Sequence, residues 1–375
     1  MLVNGRATCV AWVVAITLSL LALLLWPSTI SKLDGEIMCP RPGTQAVDAG
    51  VCMDVPSSST TLSSQSPAVR CFPSFVIVGA MKAGTGVLMH LLNQHPALVS
   101  GKGEDGSNEI HFFRSPRHTE FPGKPRRGGC SADWWAYLQR FPVFRGTHAA
   151  GRRKTFDKSP DYMRSKLSIW QLHAMLPSAK LIVLLRNPAS RAISEFNHNC
   201  RHGRYFRIAR NGSSIIMHAN DVHRPSSAPL VRYPCSLEDF RQYYFSSSGK
   251  REIQLSSHAR KEASHGYYAQ QIQWILDRFD ARQVLVLFQE KMQVSTLETC
   301  RQVERFVGAA SFRYTGVDKM HVSHSTIALG NDELYRQTRA DLERLYLGHN
   351  LQLQRLLVDN FNLTLLPWYI KKYTT

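Results

Sequence analysis

The sequence predicts an α/β fold in which a central parallel sheet is covered by helices on both faces, preceded by one membrane-spanning helix. Three observations carry this expectation. Wholly apolar runs at residues 75–78, 181–185 and 284–288 are each followed by a stretch with helical spacing, and continuous apolar strands belong to sheets buried on both faces. The first run opens into a glycine-punctuated loop and then a helix. Residues 7–26 carry no charge at all.

That charge-free segment reads ATCVAWVVAITLSLLALLLW. At roughly 20 residues it is long enough to cross a bilayer as a helix. Arg6 and the amino terminus precede it, and Lys32, Asp34 and Glu36 follow it, so the positive bias places residues 1–6 in the cytosol and the remainder in the lumen. A cleaved signal peptide would have a shorter apolar core and a small-x-small site, which Trp26-Pro27-Ser28 does not offer. Residues 27–71 are poor in large apolar side chains and rich in Ser, Thr, Pro and Gly, the composition of a stem. The expected folded domain spans 72–375.

Seven of the eight cysteines (Cys39, Cys52, Cys71, Cys130, Cys200, Cys235 and Cys300) then fall on the lumenal side, where disulfides persist. An odd count leaves one unpaired within a monomer. There is no CxxC and no His/Cys cluster of zinc spacing, so no metal site is expected. Asn211 and Asn362 begin glycosylation sequons.

Hydrophobic residues make up 43% of the 375, enough for a sizeable core, and the formal charge is +18. Such an excess attracts a polyanion: nucleic acid, anionic lipid or acidic polysaccharide. The lumenal address excludes nucleic acid and leaves the polysaccharide as the expected partner. Basic clusters at Lys124, Arg126 and Arg127 with Arg152, Arg153 and Lys154, and at Arg201, Arg204, Arg207 and Arg210, are candidates to line a groove for it.

Within the domain, residue 87 starts a helix after the first strand; residues 189–198 follow the second; an amphipathic run at 267–279 precedes the third, and residues 297–307 follow it. Residues 201–261 break this rhythm, being polar, basic and interrupted by Pro225, Pro229 and Pro234. A long connection of this kind is a lid, a binding loop or a disordered insertion, and Cys200 with Cys235 is placed to clip its base. Leucines near helical spacing over 333–361 indicate one packing helix or two.

The chemistry concentrates after the strands. Gly79-Ala-Met-Lys82-Ala83-Gly84-Thr85-Gly86 joins a strand to a helix. Glycines let backbone N–H groups close around an anion, and the helix presents its positive end to the same point. Gly79 and Gly84 fit the P-loop pattern GxxxxGK[ST], but Thr85 takes the lysine position and the lysine sits inside the loop at Lys82. A nucleoside-triphosphatase needs a strand ending in an acid that holds Mg²⁺. Here the second strand ends in Arg186-Asn187-Pro188, followed by Ser190, Arg191 and Ser194, which suits a second phosphate. Gln289-Glu290 after the third strand is the remaining acid that a kinase could use.

These motifs resemble the lumenal glycosaminoglycan sulfotransferases, nearest to the heparan sulfate N- and 3-O-sulfotransferases. The loop 78–85 is similar to their 5′-phosphosulfate loop and Leu185-Arg186-Asn187-Pro188 through Ser194 to their 3′-phosphate site. Asn108-Glu109-Ile110-His111-Phe112-Phe113, Phe156-Asp157-Lys158-Ser159-Pro160-Asp161-Tyr162 and the aromatic stretch 267–274 match in order. One stretch departs: where the 3-O-sulfotransferases carry Lys-Gly-Arg-x-His, this chain reads Lys319-Met320-His321-Val322-Ser323-His324.

The resemblance implies a P-loop-like three-layer fold, a Golgi address and 3′-phosphoadenosine-5′-phosphosulfate (PAPS) as co-substrate. It implies that Lys82, Ala83, Gly84, Thr85, Gly86, Arg186, Ser194 and Lys319 bind PAPS. Glu109 is the implied general base, with His111 orienting it, and Lys82 and Lys158 the cations that neutralise the leaving oxygen. A sugar hydroxyl is a poor nucleophile until a carboxylate takes its proton, so the implied role is chemically apt. If residues 108–113 formed a strand, alternation alone would put Glu109 and His111 on one face. Two other readings stand beside this one: a Mg²⁺-dependent P-loop kinase, and a non-catalytic polyanion-binding protein on the same fold.

Overall fold

Five parallel strands build the central sheet: β1 (Phe75–Gly79), β2 (Leu98–Ser100), β3 (Lys154–Lys158), β4 (Lys180–Leu185) and β5 (Val284–Phe288). Their spatial order is β5-β4-β1-β3-β2. The computed structural model describes residues 48–54, 68–113, 134–145, 153–210, 213–220, 223–232, 235–245, 254–316, 332–365 and 369, together with strands Lys32–Leu33 and Glu36–Ile37. The chain divides into two units, Met1–Thr44 with Gly123–Ala132, and Gln45–Pro122 with Asp133–Thr375. In the first, Lys32–Leu33 and Glu36–Ile37 pair as an antiparallel ribbon. All other described elements belong to the second.

The three apolar runs become β1, β4 and β5, and their side chains are buried on both faces, with Phe75 through Val78 and Leu181 through Leu185 wholly enclosed. Strands β2 and β3 lack that signature. β3 is KTFDK, which buries Asp157 and Lys158 along with Phe156, so its polar residues hide it from a hydrophobicity pattern. Helices α1 (Thr85–Leu92), α2 (Lys166–Met175), α3 (Pro188–Arg201), α4 (Tyr268–Leu276) and α5 (Thr296–Val307) connect or follow the strands. Asn187 caps α3 by accepting from Ser190 N–H at 3.1 Å, and Pro188 opens it, a position where a missing N–H costs nothing.

The C-terminal leucine pattern forms one helix, α6 (Asp332–Phe361), which packs on α3 and α4. The segment 201–261 is no bare loop. It holds an antiparallel hairpin, Tyr205–Arg210 with Ser213–His218, and a helix Leu237–Tyr244 started by a Ser236/Asp239 capping box. Phe196, Tyr205, Phe240, Tyr243, Tyr244, Leu342 and Tyr346 bury it against α3 and α6, and Cys200 is bonded to Cys235. Pattern reading missed it because its aromatics are scattered among prolines and charges.

A second bridge, Cys52–Cys71, was not expected. It ties Cys52–Asp54 to Ala68–Cys71, which pairs in turn with Val143–Arg145. Ordered pairing thus begins ahead of Phe72, inside the segment whose composition suggests a stem. Cys300 is free and buried. The proposed anchor at 7–26 lies outside the described residues; among the described residues no helix is long and apolar enough to cross a membrane.

Candidate active site

In a parallel sheet, ligands bind beyond the carboxyl ends of the strands where the winding reverses. Here the chain leaves β1 for β2 on one side, returns through β3, and crosses β1 to reach β4 and β5. The segments that follow the five strands therefore gather on one rim, and they carry Lys82, Glu109 and His111, Lys158, Arg186 and Glu290.

The β1–α1 turn is a tight cradle. Ala80 N–H donates to Leu184 carbonyl at 2.8 Å and Ala83 N–H to Ala80 carbonyl at 3.1 Å. Lys82 and Gly84 both have positive φ, 67° and 93°. A Cβ on Gly84 would lie 2.9 Å from Met292 Cε and 3.3 Å from Gln289 Cγ, so glycine is required there by conformation and by space. Arg186 Nη1 donates to Lys82 carbonyl at 3.0 Å, and its own carbonyl accepts from Tyr268 hydroxyl at 2.9 Å. Tyr268 comes from the aromatic stretch singled out in sequence, and its role is to brace Arg186.

Burial lowers both cations from their ordinary values, and the Arg186 charge lowers Lys82 further. Among the described residues neither forms an ion pair with a carboxylate. Two half-buried cations that, among the described residues, touch no carboxylate and lie beside a helix start suit an anion. Thr85 is buried at the start of α1 and Gly86 is exposed. Ser194 is partly exposed, one turn along α3 from Ser190, whose hydroxyl accepts from Arg339 at 3.0 Å.

Arg191 is the exception in this motif. It is wholly buried, paired with Glu195 at 2.5 Å and donating to Glu262 carbonyl, so it anchors α3 and presents nothing to a phosphate. Glu290 is also engaged: one oxygen accepts Asn187 N–H at 2.7 Å and the other Tyr369 hydroxyl at 3.2 Å. The acid on which a kinase reading relies is a brace for the β4 turn. Lys319 and the stretch to His324 lie outside the described residues, as do Lys124, Arg126, Arg127 and Arg152.

The second half of the site is a chain of charges. Lys158 Nζ lies 2.6 Å from Glu109 Oε1, His111 Nε2 lies 3.0 Å from Glu109 Oε2, and His111 Nδ1 lies 2.8 Å from Asp161 Oδ1. Lys158 and Asp161 are buried, whereas about a third of the Glu109 side chain is exposed, 34%. Residues 108–111 are not a strand: His111 has φ +54°, so the pairing of Glu109 and His111 is built by a turn and not by strand alternation. Burial opposes charge on His111, but the Asp161 and Glu109 carboxylates outweigh it and lift the ring to about 9. Burial likewise opposes charge on Glu109, yet His111 and Lys158 hold it below the usual carboxylate range.

A buried network fixes this turn. Ser159 Oγ accepts from the N–H groups of Ile110 (3.1 Å) and His111 (2.9 Å) and donates to Asp157 Oδ1 at 2.7 Å. Asp157 Oδ2 accepts from the hydroxyls of Tyr137 and Tyr162 at 2.9 and 3.1 Å. Burial pushes the Asp157 carboxyl up to about 6, against the pull of those three donors. Asp157, Ser159 and Asp161 were quoted in sequence only as parts of a matching stretch. Their one signal was a dense polar run at the carboxyl end of a strand.

The two halves lie on one rim within electrostatic reach of each other, the Glu109 carboxylate being the least of the charges acting on Lys82. In the second basic cluster, Arg207 pairs with Asp239 and Arg204 donates to Asn199, while Arg201 is exposed and its charge reaches Lys82; the Arg210 side chain lies outside those described.

A glycine-turned strand–helix loop with two cations lies on the same rim of a P-loop-like α/β sheet as a carboxylate set between cations, an arrangement that suits group transfer. A family model described as "Sulfotransferase domain" matches residues 72–326, and the chain belongs to that family. It is similar to the bifunctional heparan sulfate N-deacetylase/N-sulfotransferase 2 of Homo sapiens, 26% identical over 303 residues, covering 76% of this chain and 29% of that protein. The corresponding protein 1 of Homo sapiens is 25% identical over 304 residues, covering 76% and 30%. The chain thus spans less than a third of the length of these relatives. A crystal structure of a sulfotransferase from Alicyclobacillus acidocaldarius shares the fold, with a TM-score of 0.50 at 23% identity over 79% of this chain and 98% of that one.

Proposed function

We propose that this protein transfers a sulfuryl group from PAPS to a hydroxyl or amine of an acidic polysaccharide, with Glu109 as general base. The observation that supports the reading is that one rim carries both half-sites: Lys82 and Arg186, which among the described residues form no ion pair with a carboxylate, and Glu109, a part-exposed carboxylate set between Lys158 and His111. A kinase lacks support, because Glu290 is spent on Asn187 and Tyr369.

The residues present fit PAPS. Lys82, Ala83, Gly84, Thr85 and Gly86 would hold the 5′-phosphosulfate, and Arg186 with Ser194 the 3′-phosphate. The same Arg186 guanidinium also holds the carbonyl of Lys82, so it would brace the loop as well as the 3′-phosphate. PAPS, when bound, supplies the sulfuryl group. Glu109 would take the acceptor's proton as attack proceeds, and the ammoniums of Lys82 and Lys158 would neutralise the negative charge that develops on the leaving oxygen, where preorganised charge contributes most to group transfer. His111 holds Glu109 in place through its far oxygen.

The acceptor class rests on the heparan sulfate relatives and on the excess of positive charge. A Golgi membrane placement, type II with a lumenal domain, rests on the charge-free run at 7–26 and on the exposed sequon at Asn362. Retention in the membrane after carbonate extraction, with Asn362 or Asn211 glycosylated, is expected; a soluble form starting near Ser28 would remove the anchor. The function itself is tested by incubating the protein with radiolabelled PAPS and a panel of polysaccharides: label should move to at least one acidic member, and no transfer to any of them, with intact donor binding, would contradict the proposal.

A further inference from the structure

The Asp161–His111–Glu109 geometry allows one step more, resting on the assignment of Glu109 as base. We propose that Asp161 is a positioning residue that keeps His111 as an imidazolium capping one oxygen of Glu109, so that only the other oxygen, Oε1, receives the acceptor's proton.

Both ring nitrogens of His111 face carboxylate oxygens, Nδ1 to Asp161 at 2.8 Å and Nε2 to Glu109 at 3.0 Å. A neutral imidazole has one N–H and one lone pair; only the doubly protonated ring donates at both ends. Ser159 fixes the main chain of His111 by holding its N–H, and the two carboxylates fix the ring by bonding both of its nitrogens. Other charged groups near His111 are fewer or weaker partners. Asp157 is engaged by Ser159, Tyr137 and Tyr162, Asp105 is exposed and bonded to Ser107, and Lys158 touches Glu109 from the opposite side.

The four groups alternate in sign: Asp161 minus, His111 plus, Glu109 minus, Lys158 plus. In the transfer, the acceptor O–H or N–H bond breaks and its proton goes to Oε1, a new O–S or N–S bond correspondingly forms, and the bond from sulfur to the bridging oxygen breaks with its electron pair left on the phosphate. Oε2 stays capped. The proton adds one positive charge to a neutral quartet as an anion appears beside it, and Lys158, released from Oε1, is free to face that anion. An uncapped Glu109 could rotate and offer either oxygen in either direction, losing orientation that is worth much in such steps.

Asp161→Asn keeps the shape and can still accept the Nδ1–H, but withdraws the charge. With wild type, turnover should fall as pH rises through about 9, where His111 loses its proton. In Asp161→Asn the alkaline limb of kcat should move down by about 1–3 pH units, the usual effect of removing one adjacent opposite charge. Donor affinity should stay within a few-fold, and turnover near pH 6 should approach wild type. An unmoved limb, or a fall in kcat by the same factor at every pH, would overturn the proposal and leave Asp161 a structural residue. Should the variant fail to fold, an NMR titration of His111 in the wild-type protein decides: a midpoint near 9 supports the cap and one at its ordinary 6.5 refutes it. Glu109→Gln in parallel separates the two ideas. Full turnover in that variant removes the base itself, whereas loss of turnover there with an unmoved limb in Asp161→Asn removes only the cap.

Discussion

The donor side and the base side of this rim are built by opposite means. On the donor side, backbone does the positioning: a glycine at φ +93° opens α1, and a loop carbonyl is held by an arginine. On the base side, side chains do it: one serine hydroxyl takes two backbone N–H groups, and one buried carboxylate takes three hydroxyls. On the proposed function, the first design would bind a fixed anion whatever the acceptor. The second holds a single carboxylate in a turn where no regular element could hold it, and its precision depends on charges that pH can remove.

Substitutions that strike one side and spare the other test this division. The largest effect short of the base is expected from Lys82→Ala, since that ammonium would touch the donor in ground and transition states alike: weaker donor binding and a fall in turnover on the order of 10²–10³-fold, as for loss of one oxyanion donor. Binding of 3′,5′-adenosine bisphosphate by calorimetry, with kcat, checks both. Arg186→Ala should cost about 2 kcal/mol of donor binding, roughly 30-fold in Kd, as for one lost charge-assisted contact. Unchanged Kd would remove Arg186 from the donor side.

A smaller effect, and on the other side, is expected from Ser159→Ala. Two buried N–H groups and one carboxylate oxygen lose their partner, which costs about 1–3 kcal/mol of stability, and kcat should drop while donor Kd stays put. Equal damage to donor affinity would mean the two sides are one cooperative unit. Least of all should be the pH dependence of stability. His111 is raised in the folded state, so its contribution is full below its ordinary 6.5 and is lost as pH rises through about 9; Tm should decline over that window, and less so in Asp161→Asn.

The same contrast explains what could be read from the sequence. Residues that act through backbone and local motif were legible: the three apolar strands, the Gly79–Gly86 loop, and Arg186 at a strand end each leave a contiguous signature. Of the charge chain, Glu109, His111 and Lys158 are named through their motifs, but their mutual contacts and the part of Asp161 are not legible. Glu109 and Lys158 stand 49 positions apart, and Asp161 gains its meaning only when β3 lies beside β1 and the 108–111 turn folds over it. Arg191 misled for a related reason: a cation two residues from Ala189 in a phosphate-like motif looks like a ligand, but α3 turns it inward to Glu195. The hairpin and helix within 201–261 were illegible because tertiary burial by Phe196 and Tyr346, not local periodicity, stabilises them.

The most direct test of the central claim is the turnover of Glu109→Gln. The variant keeps the side chain's shape and can still accept from Lys158 and donate elsewhere, but it takes no proton at neutral pH. Folding and binding of 3′,5′-adenosine bisphosphate should be unchanged, and sulfuryl transfer to the best acceptor of the panel should fall on the order of 10²–10⁴-fold. A well-folded Glu109→Gln protein that binds donor and turns over within a few-fold of wild type would contradict the assignment of the base.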